Sequence, residues 1–177
     1  MRPTDDLKNE HEAVLVMLSI LAKVAERLER KAVVPQEHFG QMLDFLRGFV
    51  DKCHHGKEET ALFPAMEGAG VPGDGGPIGV MLAEHEAGRG LVRQMAASAG
   101  KDERAFVRAT RDYIGLLTQH IAKENGVLFP MADKVLSAET QVRLDHEFEE
   151  IEEKVVGAGK HEQYHAMLHA LKAFYGA

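Results

Sequence analysis

Residues 53–64 read CHHGKEETALFP and residues 119–130 read QHIAKENGVLFP. Each stretch places a Glu four positions after a His, and a Leu-Phe-Pro four positions after that Glu. A second duplicated pair lies upstream, NEHEA at 9–13 and AEHEA at 83–87. Ten His and 28 acids spread over 177 residues would not fall at matching offsets by composition alone. The chain reads as two related halves, each contributing the same polar groups from the same relative places.

The surroundings of these blocks are helical, and no credible strand pattern occurs. Leu7, His11, Val14, Leu18, Leu21, Ala25 and Leu28 recur every three or four residues, which predicts a first helix over 5–31 with Thr4 as its N-cap and Asp5 and Asp6 at its positive end. Val33-Val34-Pro35 interrupts it. A second helix is expected over 36–67, with Phe39, Leu43, Leu46, Val50, His54, Glu58 and Leu62 on one stripe and Pro64 kinking or shortening its end. GAGVPGDGGPIG at 68–79 holds six Gly and two Pro and reads as the linker between halves. Helices over 78–98 and 103–133 follow, joined by SAGKDE. Ser137 caps a fifth helix over 138–155, GAG at 157–159 breaks it, and a last helix covers 160–175. The expected fold is all-α: an antiparallel up-down four-helix bundle, core 5–133, with one or two short C-terminal helices (137–175) packed on it. The whole chain, 1–177, is expected to be one domain.

The bulk numbers narrow the function. A formal net charge of −7 argues against nucleic-acid binding, which needs clustered Lys and Arg. The one cysteine, Cys53, has no partner for an internal disulfide. MRPTDDLKNEHE is too charged for a signal peptide, and AVLVMLSILA at 13–22 is too short to span a bilayer. A cytoplasmic protein that binds neither nucleic acid nor membrane is expected.

Residues equidistant from a tight turn lie level on antiparallel helices, since both rise ~1.5 Å per residue. The midpoint between His11 and His54 falls in RKAVVP at 30–35, and that between His85 and His120 in SAGKDE at 98–103. Each hairpin therefore brings two imidazoles level, with a Glu one turn along on the same face. Folding the halves together converges His11, His54, Glu58, His85, His120 and Glu124 in the interior. In helix two, His55 and Glu59 continue the polar face of Asp44, Gly48 and Asp51, so an α-helical register turns them outward.

Two carboxylates facing each other in an apolar core repel and are costly to desolvate; a cation removes that cost. Four imidazoles and two carboxylates exceed the needs of one tetrahedral zinc. They suit two first-row ions, each with two His and both bridged by the two Glu. Such ligation with open positions favours iron, with manganese or zinc as substitutes.

The pattern H…HxxxE…H…HxxxE, carried by Glu10-His11-Glu12, His54 to Pro64, Glu84-His85-Glu86 and His120 to Pro130, resembles the hemerythrin-like family, the HHE cation-binding domain. The resemblance implies a non-haem di-iron centre, oxo- or hydroxo-bridged, that meets dioxygen or related small molecules. The classical oxygen carrier has HxxxH on its third helix; here His85 is followed by Arg89, so the chain resembles the more symmetric six-ligand subgroup, whose members are linked to peroxide handling, nitric oxide chemistry, iron sensing and iron-centre repair. The first functional expectation is a di-iron protein binding or reducing O2, peroxide or NO behind a wall of Leu46, Val50, Leu117 and Leu128. If it turns over, it does so as an oxidoreductase supplied by an electron donor, as monomer or homodimer. The alternative is an iron- or oxygen-responsive sensor without turnover, and a third is a metal-free scaffold. No separate general acid or base stands out. Cys53 and Tyr113 read as packing residues. His161, His165 and His169 share a face whose Tyr164, Leu168 and Leu171 suggest packing, with Tyr164 or His165 able to cover an open coordination position.

Overall fold

The chain's first helix begins on a proline, whose missing N–H costs nothing in a first turn. In the computed structural model, which describes residues 2–177, α1 runs Pro3–Glu29. The Arg2 amide donates to Asp5 Oδ2 at 3.0 Å. The expected Thr4 cap is corrected: Thr4 lies inside the helix, and its hydroxyl donates to Asp133 Oδ1 at 2.6 Å. That bond ties the start of α1 to the far end of the fourth helix of the bundle.

The second helix of the bundle changes its winding along its length. α2, Gln36–Phe45, passes directly into a π-helical stretch, Leu46–His55; a second one, Glu58–Leu62, leads into α3, Phe63–Gly68. The fourth helix repeats the device: α5, Glu103–Lys123, then π-helical Glu124–Leu128, then α6, Phe129–Val135. A π-turn holds one more residue than an α-turn, and such turns gather at functional sites. They also explain the Leu-Phe-Pro blocks. A proline inside an α-helix loses a backbone hydrogen bond and strikes the carbonyl four residues back. Pro64 and Pro130 each follow a π-helical turn, in the first turn of the α-segment beyond it. Pro64 therefore does not end the helix, which continues to Gly68.

Between these two helices, α4 runs Pro77–Ser98 behind the glycine-rich linker, and Asp102 caps α5 by accepting from the Ala105 amide at 3.0 Å. Ser137 caps α7, Ala138–Ile151, as its position in the sequence predicts, accepting from the Thr140 amide at 3.2 Å. π-helical Glu152–Gly157 follows, and left-handed Gly157 and Gly159 turn the chain into α8, Lys160–Tyr175. Among the described residues there is no strand. The fold is an all-α up-down bundle in which α4 and α1 pack on α5 and α8 returns along α1.

The apolar core comes in two parts. A larger cluster runs from Leu28 and Phe39 through Phe45, Leu46, Val50 and Leu117 to Tyr164 on α8. A smaller one joins Leu7, Leu62, Phe63, Leu128, Phe129 and Phe148. Between them lies a layer of buried polar side chains. No helix among the described residues is long and apolar enough to cross a membrane.

Candidate metal centre

The polar layer is built by four helices at matching heights. His11 comes from α1, His54 and Glu58 from the two π-helical stretches of the second helix, His85 from α4, and His120 and Glu124 from the α5 junction. All six are at most 1% exposed. The level pairs meet as antiparallel geometry requires: ring centroids are 4.6 Å apart for His11 and His54, and 4.9 Å apart for His85 and His120.

Each of these imidazoles is held from behind through Nδ1, and the four contacts repeat between the halves. His54 meets Glu10 Oε2 at 2.8 Å and His120 meets Glu84 Oε2 at 2.8 Å; both acids directly precede the other His of their own half. His11 meets Asn125 Oδ1 at 2.8 Å and His85 meets Glu59 Oε1 at 2.7 Å; both partners directly follow a buried Glu of the opposite half. An ionised carboxylate and an amide oxygen only accept, so Nδ1 carries the proton and Nε2 is left bare and facing inward.

The inward atoms have only one another. His11 Nε2 is 3.1 Å from Glu124 Oε2, His120 Nε2 3.2 Å from Glu124 Oε1, His85 Nε2 3.3 Å from Glu58 Oε2, and His54 Nε2 3.5 Å from Glu58 Oε1. His85 Nε2 and His120 Nε2 lie 3.2 Å apart. With both rings protonated at Nδ1, that last pair sets lone pair against lone pair. His11 Nε2, His54 Nε2 and all four oxygens of Glu58 and Glu124 are buried without a hydrogen-bond partner. Native proteins rarely leave such atoms unmatched. Bare imidazole nitrogens and carboxylate oxygens, all acceptors and all convergent, are a donor set for cations. By spacing, they divide into His11, His54, Glu58 and Glu124 on one side, and His55, Glu58, His85 and His120 on the other.

His55 is the correction. It does not face solvent: it is 4% exposed, its ring stacked on His85 at 3.8 Å with 16° between planes. The π-helical winding of Leu46–His55 is the cause. With more residues per turn than an α-helix, two consecutive histidines both fit on the inner side. Glu59 is half-buried and holds His85, and Arg89 donates to the same Glu59 oxygen at 2.7 Å. An α-helical register cannot find His55; the one hint in the sequence is Leu-Phe-Pro, since a proline there calls for a locally altered helix.

Charge in the centre is finely balanced. Burial, reinforced by the neighbouring Glu124, pushes the Glu58 carboxyl well up. Burial works the same way on Glu124, but the facing His11 and His120 outweigh it and hold that carboxyl low. Burial lowers His54, and lowers His55 to about 3, with the His85 ring adding to the effect. His120 goes the other way: burial works to lower it, but its bond to Glu124 and the Glu124 and Glu58 charges outweigh that and raise it.

A second pair was also unread in the sequence, although both blocks spell His-x-x-Lys-Glu. Lys57 donates to the free oxygen of Glu10 at 2.6 Å, and Lys123 donates to that of Glu84. Lys57 is fully buried, whereas the Lys123 side chain is 43% exposed. Burial works to discharge Lys57, but the Glu10 and Asp6 carboxylates more than offset it and keep the ammonium charged.

The other singled-out residues lie off the centre. Tyr164 packs edge-on against Phe45 and Phe49 and His165 meets Phe49; neither is among the residues whose donor atoms converge. Cys53 is a buried thiol pushed up to about 12, chiefly by burial, which makes it an inert packing group. Leu46, Val50, Leu117 and Leu128 are buried. Beside His55 opens a cavity of about 180 Å³, lined by Leu46, Asp51, Gly88, Arg89 and Tyr113.

Paired imidazoles sharing two carboxylates inside an up-down bundle define a helical cation-binding domain. Residues 2–132 match the hemerythrin HHE cation-binding domain, and the chain belongs to that family. It is 29% identical over 161 residues to the "Uncharacterized protein Rv1995" of Mycobacterium tuberculosis, a match covering 86% of this chain and 62% of that one. It is 31% identical over 134 residues to "Iron-sulfur cluster repair protein YtfE" of Yersinia pestis, covering 70% of this chain and 60% of that one. The chain thus spans about three fifths of the length of these relatives. No solved structure matches.

Proposed function

We propose that this chain is a non-haem di-iron protein that binds or reduces a small oxygen species, O2, peroxide or NO. One ion would be held by His11, His54, Glu58 and Glu124. The other would be held by His55, His85 and His120 with Glu58, so that Glu58 spans both positions. When bound, the irons supply reversible one-electron chemistry and open coordination positions. The observation that carries the reading is the convergence of bare, buried acceptor atoms with no hydrogen-bond partner.

The residues of the chain do the rest. Glu10, Glu84, Glu59 and Asn125 keep each Nδ1 protonated and so aim each Nε2 inward. Leu46, Val50, Leu117 and Leu128 keep bulk water out. The cavity beside His55 gives a small molecule a way to approach the second position, with Gly88 leaving room there. No side chain stands free as a general base, which favours small inorganic reactants over elaborate organic ones.

A second reading is supported by the likeness to an iron–sulfur cluster repair protein: the second position, backed by the half-exposed Lys123, gives up its ion for repair. Iron analysis with absorption spectra in air, under reduction and after peroxide tests the first reading. Two irons per chain and bands that change with peroxide are expected. Zinc at less than one per chain with no spectral response would refute it, whereas stoichiometric iron transferred to an apo-cluster acceptor without peroxide response would favour the second.

A further inference from the structure

The Lys57 ammonium has more partners than its duplicate needs. In the second half, Lys123 bonds Glu84, with no partner from the C-terminal helices among the described residues. In the first half, Lys57 Nζ lies 2.6 Å from Glu10 Oε1, 2.9 Å from Asp6 Oδ2 and 2.5 Å from Glu152 Oε1. The Phe148 ring of α7 lies 5.3 Å away. Glu152 opens the π-helical segment Glu152–Gly157, which packs on the π-helical stretch carrying His54 and His55. The chain of contacts therefore runs from the C-terminal helices, through Glu152, Lys57 and Glu10, to His54 Nδ1 at 2.8 Å.

Glu10, Glu152 and His161 also lie close enough together to hold a cation by spacing alone. The Lys57 ammonium already sits among the two carboxylates, so a third metal is not needed to neutralise them.

We propose that Lys57 is a positioning residue which presses Glu10 onto the His54 ring and, through Glu152, fastens the C-terminal helices to the first metal position. Displacing those helices, by a partner or by motion, loosens His54 while leaving His120 alone. The inference rests on the reading that the centre holds metal. A buried charge pair that loses one member leaves the other uncompensated, so separating Lys57 from the buried Glu10 is costly.

Zinc(II)-loaded full-length protein provides the test, because diamagnetic zinc allows NMR of the ring N–H signals. Glu152→Gln should shift the Nδ1–H signal of His54 and leave those of His11, His85 and His120 in place. Lys57→Met should shift it further and speed chelator extraction of one of the two ions by about 10- to 100-fold. Lys123→Met should instead move His120. If Lys57→Met does not fold, the Glu152→Gln spectrum decides, since that side chain is only partly buried. Zinc bound normally, with the His54 signal unmoved in Glu152→Gln, would overturn the clamp. Wild-type protein that takes up no zinc, iron or manganese would instead remove the metal reading beneath it.

Discussion

His55→Leu separates the two consequences of burying this ring. In the metal-free protein, His55 titrates near 3, lowered from the ordinary histidine value near 6.5 by burial first and the His85 ring second. A histidine whose folded pKa is depressed binds protons more readily when unfolded. Its contribution to stability is complete above about pH 6.5 and is lost as pH falls toward 3. Each pH unit inside that window is worth about 1.4 kcal/mol, so wild type loses about 2 kcal/mol between pH 6.5 and 5 from this residue. Leucine, similar in size and without a charge to acquire, removes that loss. Urea unfolding of chelator-treated wild type and variant at pH 7, 6 and 5 measures it: the variant should gain on wild type by about 2 kcal/mol over the range. With metal present the same substitution should cost occupancy of one ion, the one near His85 and His120. Parallel stability curves from pH 7 to 5, together with full metal content, would refute both the burial and the donor role of His55.

Glu58 gives the opposite slope. Its carboxyl is pushed up by burial and the Glu124 charge, so folded protein lacking metal favours the protonated form and loses stability as pH rises above the ordinary carboxylate range. Glu58→Gln should flatten that slope, raise the metal-free melting temperature at pH 8 and abolish stoichiometric metal; calorimetry with metal analysis reads both. A Cβ on Gly48 would come within 1.8 Å of Tyr164 Oη, so Gly48→Ala should cost about 1–3 kcal/mol and expose α8 to limited proteolysis. A Cβ on Gly88 meets its nearest neighbours, Leu117 and Tyr113, at an ordinary 3.7 Å. Gly88→Ala should therefore fold, gain helix propensity of about 1 kcal/mol, and slow stopped-flow reaction with peroxide by narrowing the cavity beside His55 without changing metal content.

The up-down bundle was readable because the apolar stripe of α1 and the duplicated blocks leave little freedom: level histidines across two short connections admit one way of folding each hairpin. The six inward groups follow from the same spacing. His55 did not, because its orientation depends on π-helical winding, and α-helical periodicity places it beside Asp51 on a wet face. The start of α1 shifted for a different reason: Thr4 spends its hydroxyl on Asp133, a tertiary bond that a local capping rule cannot foresee. The Lys57 network was hidden because one of its members, Glu152, lies 95 positions away in the sequence.

The division of the core has a consequence for how the molecule comes apart. Leu28, Phe39 and Leu117 form one apolar body, while Leu7, Phe129 and Phe148 form another, and the layer of histidines and glutamates lies between them. Bound ions would rivet the two bodies into one cooperative unit whose amides exchange with solvent only on global unfolding. Stripped of ions, the protein would have a seam across its middle, and the smaller body could open by itself.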